Sequence, residues 1–143
     1  MNVTQLSVFL ENKPGHLARI LEILSEQGIN IVTLMIADTS DFGVIRMLTS
    51  DSDKAAQVLR DHQFTCSVTD VLALEVDDKP GALYEVLNTV LEAGLNIEYM
   101  YTFNEKRRDK MVMIFRFDPI EPAGRVLEAT GYCVVHRSDI LGD

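Results

Sequence analysis

Residues 3–10 alternate, with Leu6, Val8 and Leu10 on one side and Gln5, Ser7 and Phe9 on the other, the period of a strand with one face in a core. After Glu11-Asn12-Lys13 the spacing turns helical. Leu17, Ile20, Leu21 and Leu24 fall at i, i+3, i+4 and i+7, with Arg19, Glu22 and Glu26 turned away. Pro14 stands near the first helical position, where a missing N–H is no loss, and Gly28 is the expected left-handed residue past the helix end. Ile29 to Ile36 reads as a second strand, apolar on both faces apart from Asn30 and Thr33. Asp38-Thr39-Ser40-Asp41 is a turn and Val44 to Thr49 a third strand. Ser50-Asp51-Ser52-Asp53 offers N-caps for a short helix carrying Ala55, Val58 and Leu59, and Phe64 to Val68 is a fourth strand. The order is β-α-β-β-α-β.

The same order then recurs. Leu72, Leu74 and Val76 alternate, Leu83, Val86, Leu87 and Val90 make a helix stripe, and Gly94 ends it. Leu95 to Phe103 and Val112 to Phe117 are strands joined by a longer, more basic turn, Asn104 to Lys110. Pro122 opens a helix bearing Val126 and Leu127, and Tyr132 to His136 is the last strand. Residue identities repeat as well. Asn12-Lys13-Pro14-Gly15-His16-Leu17 returns 66 positions later as Asp78-Lys79-Pro80-Gly81-Ala82-Leu83. The same offset carries Glu26-Gln27-Gly28-Ile29-Asn30-Ile31 onto Glu92-Ala93-Gly94-Leu95-Asn96-Ile97, and it grows to 68 by Val126, a two-residue insertion in the longer turn.

Such in-phase recurrence is an internal duplication. It predicts an α+β chain of two ferredoxin-like βαββαβ modules, residues 1–69 and 70–143, each an antiparallel sheet with its helices on one face. No Gly/Ser-rich linker separates them. The second strand of each module lies at a sheet edge in this topology and is apolar on both sides, so it should be covered, by the other copy or by a second chain, and a homodimer is expected.

Composition narrows the function. The 143 residues carry a formal net charge of −9, which argues against binding a nucleic-acid backbone, since that needs clustered Lys and Arg. No apolar run is long enough for a membrane helix. Cys66 and Cys133 lack CxxC spacing and no signal peptide is visible, so both read as reduced, buried thiols of a cytoplasmic protein. His16, His62 and His136 share no ligand spacing with one another or with the cysteines, and no metal or cofactor is expected. No nucleophile–base motif is present.

The repeated turn carries the candidate chemistry. A helix start after Pro14-Gly15 or Pro80-Gly81 offers unpaired N–H groups and the positive end of the helix dipole to a carboxylate. Glycine lets a ligand come close to the backbone. Asn12 and Asp78 are acceptors for an ammonium group. The same residues also have a purely structural reading, in which Pro-Gly starts a helix and Asn30 and Asn96 satisfy the turn from helix to strand.

The full string, strand–(Asn/Asp)-Lys-Pro-Gly-x-Leu–helix–Gly-(Ile/Leu)-Asn-Ile–strand, resembles the ACT domain twice over, across essentially the whole chain. That resemblance implies a regulatory module binding a small molecule, most often an amino acid, and acting on an enzyme; none is joined to the pair within these residues. In members that bind serine, asparagines matched by Asn12 and Asn30 hold the ligand, while Leu10 stands where that subgroup has histidine. The second copy offers Asp78 and Asn96. The resulting candidate site comprises Asn12, Pro14, Gly15, His16, Leu17, Asn30 and Met35 in the first copy, and Asp78, Gly81, Ala82, Leu83, Asn96, Met100 and Tyr101 in the second. Its ligand would lie where a Pro-Gly loop meets a second-strand edge of a neighbouring copy or subunit. The competing reading is a small enzyme using acidic loop residues on the same scaffold.

Overall fold

A computed structural model of the chain describes residues 3–11, 13–38, 42–107 and 109–141, with backbone alone at 38, 104–107 and 141. The chain divides into two compact units, Thr4–Thr69 and a second made of the residues from Asp70 onward together with Val3.

In the first unit, β1 (Val3–Glu11), α1 (His16–Glu26), β2 (Ile31–Asp38), β3 (Phe42–Thr49) and α2 (Ser52–Asp61) precede β4 (Thr65–Asp77), which contributes its first residues here. The strand order is β2-β3-β1-β4, with β3 antiparallel to both β1 and β2 and Glu11 opposite Phe42. Both helices pack into one core. Ile20, Ile23 and Leu24 of α1 and Ala55, Ala56 and Leu59 of α2 meet Leu6, Val8, Ile45 and Met47 of the strands. Each fully buried Leu or Ile contributes roughly 1.5–3 kcal/mol. The buried stripe of α1 takes in Ile23, whereas Leu21 is only half-buried. As the caps predict, the Asp51 side chain accepts the Lys54 N–H at 3.1 Å and starts α2.

One expectation fails here. Gln5 and Ser7, assigned to the polar face of β1, are buried. The Gln5 amide donates to Ser7 Oγ at 3.2 Å and to Thr69 Oγ1 at 3.5 Å. Polar side chains of this kind tolerate burial once they are hydrogen-bonded, so alternation alone does not report a wet face.

The second unit repeats the plan with the rest of β4, α3 (Ala82–Glu92), β5 (Asn96–Arg107), β6 (Lys110–Asp118), α4 (Glu121–Ala129) and β7 (Val134–Val135), and then adds α5 (Arg137–Leu141). β6 pairs antiparallel with β4 and β5, and β7 with β4. Leu72, Leu74 and Val76 close a core with Val86 and Val90 of α3, Phe115 and Phe117 of β6, and Ala123 and Leu127 of α4. The rings of Phe115 and Phe117 stack at 5.3 Å.

Three details differ from the sequence reading. The inserted residues do not lengthen a loop: β5 runs on to Arg107, β6 starts at Lys110, and a register shift between Phe103 and Lys106 absorbs the insertion. The last strand is two residues long, because α5 begins at Arg137 and is anchored by buried Ile140. The two strands flanking Thr69-Asp70 are a single strand, β4. Among the described residues, no helix is long and apolar enough to cross a membrane.

Candidate functional site

The repeated motif is a turn followed by a helix. His16 N–H donates to Lys13 O at 3.3 Å, and Ala82 N–H to Lys79 O at 3.2 Å. Gly15 and Gly81 are left-handed, so each Lys-Pro-Gly-x run is a type II turn with proline second and glycine third. The glycine is the N-cap of the helix, and, having no side chain, it makes no side-chain cap bond to α1 or α3. Pro14 therefore stands one residue before the cap, not at the first helical position as its spacing suggested. The turn requires proline's fixed φ just ahead of a residue with positive φ. What remains at each helix start is a set of backbone N–H groups beside exposed Gly15 and Gly81.

Charges flank both turns. Lys13 Nζ lies 2.6 Å from Glu11 Oε2. The hydrogen bond and charge of Lys13 hold the Glu11 carboxyl below its ordinary value, with a smaller contribution from His16. In the second module, Asp77 sits 3.7 Å from both Lys79 and Lys110. Asp78 N–H donates to Asp109 O at 3.1 Å.

Each turn borders a cleft, and the two clefts are built from equivalent positions. The first, of about 320 Å³, is lined by the end of β1, the start of β3, His16 and the link from α2 to β4. The second, of about 180 Å³, uses the same places. Phe9 of the first is replaced by Glu75, Phe42 by Lys110 and His16 by Ala82. Phe64 is replaced by Tyr132, Thr65 by Cys133 and Gln63 by Gly131. The strand registers support this correspondence, since Glu11 faces Phe42 and Asp77 faces Lys110.

The predicted residues divide between two ends of each module. Pro14, Gly15, His16 and Leu17 gather at the first turn; Asp78, Gly81, Ala82 and Leu83 gather at the second. Leu17 and Leu83 also pack on the cores. Asn12 lies outside the described residues. Asn30 is at the far end of α1, about 16 Å of helix away. There its N–H donates to Ser50 Oγ at 3.0 Å and its carbonyl accepts Ser50 N–H at 2.9 Å, beside a shallow cleft that Leu21 and Ser25 share. Asn96 opens β5 at the corresponding far end of α3, opposite Asp118. Met35 and Met100 are half-buried on β2 and β5, and Tyr101 is buried opposite Ile114. No single module therefore joins its own Pro-Gly turn to its own second-strand asparagine.

Sequence reasoning passed over Glu11, Phe42, Gln63, Phe64 and Thr65 of the first cleft. A signal was available for Gln63, because the 68-residue offset sets it against Gly131. It also expected both thiols to be buried. Cys66 is buried, and its Sγ reaches Ala56 O at 3.5 Å. Cys133 is exposed, because β7 starts one residue beyond it.

The turn, the paired helices and the antiparallel sheets define a duplicated βαββαβ fold. The chain belongs to the ACT domain pair family, whose model matches residues 1–140. It is 36% identical to protein BT0572 from Bacteroides thetaiotaomicron, covering 99% of this chain and 96% of that one with a TM-score of 0.90. The regulatory subunit of aspartate kinase from Thermus thermophilus shares the fold at 15% identity and a TM-score of 0.61, over 90% of this chain and 91% of that one. The Thermus flavus subunit does so at 16% and 0.65, over 90% and 92%. No curated protein matches the chain.

Proposed function

We propose that this ACT pair is a non-catalytic sensor that binds a free amino acid at its Pro-Gly turns and regulates a separate protein partner of amino-acid metabolism. The observation that carries this reading is the helix start: twice, a left-handed glycine, which has no side chain to cap with, stands at the N-cap, so that the first-turn N–H groups face an outside carboxylate. Acceptors for the ammonium stand alongside, Glu11 at one turn and Asp77 and Asp78 at the other. The similarity to chains named as regulatory subunits of aspartate kinase agrees with a partner enzyme on a separate chain.

A homodimer completes this proposal. β2 is an edge strand, and Ile36 on it is among the exposed large apolar residues. Pairing with a second copy would cover that edge and could bring Asn30 and Met35 of one chain to a turn of another. Ligand occupancy would then be linked to assembly, which is how a module without catalysis regulates. A thermal-shift screen of the free amino acids tests the reading: saturable stabilisation without turnover supports it, while product formation would favour the enzyme alternative.

A further inference from the structure

Four helices of the two modules end in the same way. After α1, Gly28 N–H donates to Ser25 O and Ile29 N–H to Leu24 O; Gly94 and Leu95 repeat this after α3, and Gly131 and Tyr132 after α4. After α2, the pair is Gln63 N–H to Arg60 O and Phe64 N–H to Leu59 O, both at 2.9 Å. All four leading residues have positive φ, and Gln63, at 69°, is the one that is not glycine. Left-handed backbone disfavours a residue with a Cβ, and glutamine lacks the short side chain that lets asparagine adopt it. The same bond pattern at Gly131 shows that the turn itself does not require a side chain. Gln63 therefore holds a disfavoured conformation that the fold could have avoided, and it lines the larger of the two clefts beside the Pro-Gly turns.

The rest of that cleft has also changed character. Phe9 and Phe42 are 48% and 63% exposed there, where the second module has Glu75 and Lys110. Phe64 adds a third ring. Glu11, Gln63 and His16 at the helix start line the same cleft. A volume of about 320 Å³ is at the small end of ligand sites, suited to one amino acid. The smaller second cleft replaces two of the three rings with charges, Glu75 and Lys110, and keeps only Tyr132, so a buried apolar body would gain less there.

We propose that the two modules have diverged in ligand choice, and that the first cleft takes an amino acid with an aromatic or branched apolar side chain, whose ammonium and carboxylate are read by Glu11, Gln63 and the first turn of α1. The proposal rests on the sensor reading above and narrows it to one module and one ligand class. The apolar side chain lies against Phe9, Phe42 and Phe64. Gln63 keeps its strained backbone because glycine there would remove the amide.

The experiment is calorimetry on the full chain with L-phenylalanine, L-leucine, L-aspartate and L-lysine as probes, using wild type, Gln63→Gly and Phe42→Ser. Phe42 is well exposed and Gln63→Gly installs the residue found at the equivalent position, so both variants should keep the fold, as checked by their melting curves. The expected result is binding of phenylalanine or leucine in preference to aspartate and lysine, weakened about tenfold or more in each variant, with the Gln63→Gly melting temperature unchanged or raised. Preferred binding of aspartate or lysine, or apolar binding untouched by both variants, would overturn the cleft assignment while leaving a sensor. No binding of any of the four probes would overturn the cleft assignment, and no stabilisation by any amino acid in the thermal-shift screen would overturn the sensor reading with it.

Discussion

Gly15 and Gly81, 66 residues apart, share one backbone conformation: φ 87° and ψ −12° in the first, φ 84° and ψ −12° in the second. Each stands third in a Lys-Pro-Gly-x turn and each caps a helix. An added Cβ would meet nothing within 4 Å at either position. Gly15→Ala and Gly81→Ala should therefore destabilise through backbone strain alone, by about 1–2 kcal/mol each. Chemical denaturation of the two variants checks this, and unchanged midpoints would mean that the turns relax freely.

The second core depends on its aromatic pair. Phe115 is fully buried and stacks on Phe117. Phe115→Ala should lower unfolding free energy by about 3–5 kcal/mol, measured by urea unfolding, whereas Tyr84→Ala, at an exposed position of α3, should change it by no more than about 0.5 kcal/mol.

The thiols should separate by reactivity. Burial raises the Cys66 pKa above its ordinary value of 9.0, against the opposing charge of Arg60. A thiol with a raised folded pKa favours the folded state below the unfolded value, and that contribution is lost as pH rises through the folded one. Alkylation followed by mass spectrometry should thus label exposed Cys133 first, with Cys66 modified only on unfolding or at alkaline pH. Equal rates at neutral pH would contradict the burial of Cys66.

Much of the fold was legible because its signals are local. Pro14, Gly15, Gly28 and their copies mark turns that depend on their own backbone, and the helix stripes need only a period. The burial of Gln5 and the early end of the last strand were not legible, since both depend on what packs from elsewhere: a hydroxyl at Thr69 and the anchoring of α5 by Ile140. The candidate site divides in the same way. The turns were read from their motif, but the cleft gathers Glu11, Phe42 and Gln63 through strand register and a helix end, and neither is a run of adjacent residues.

Glu11 supplies a pH test at the first turn. Its pKa is lowered from 4.5, chiefly by Lys13. Its carboxylate therefore favours the folded state above the unfolded pKa, and that preference fades as pH falls through the folded value. In Lys13→Ala, carboxyl titration by NMR should show the Glu11 pKa moving up toward 4.5. An unmoved value would remove Lys13 as the cause.

The central claim, that this ACT pair senses a free amino acid at its Pro-Gly turns, is tested most directly by titration calorimetry of the intact chain, beside a matched Asp78→Ala and Asn12→Ala pair. The account predicts saturable binding by a free amino acid, with stability rising by about 2.7 kcal/mol at a hundredfold excess over Kd. At least one of the two substitutions should weaken binding by about 1.5–3 kcal/mol, as loss of a hydrogen bond to a charged group would. No heat from any amino acid at millimolar concentration, or binding indifferent to both substitutions, would contradict it.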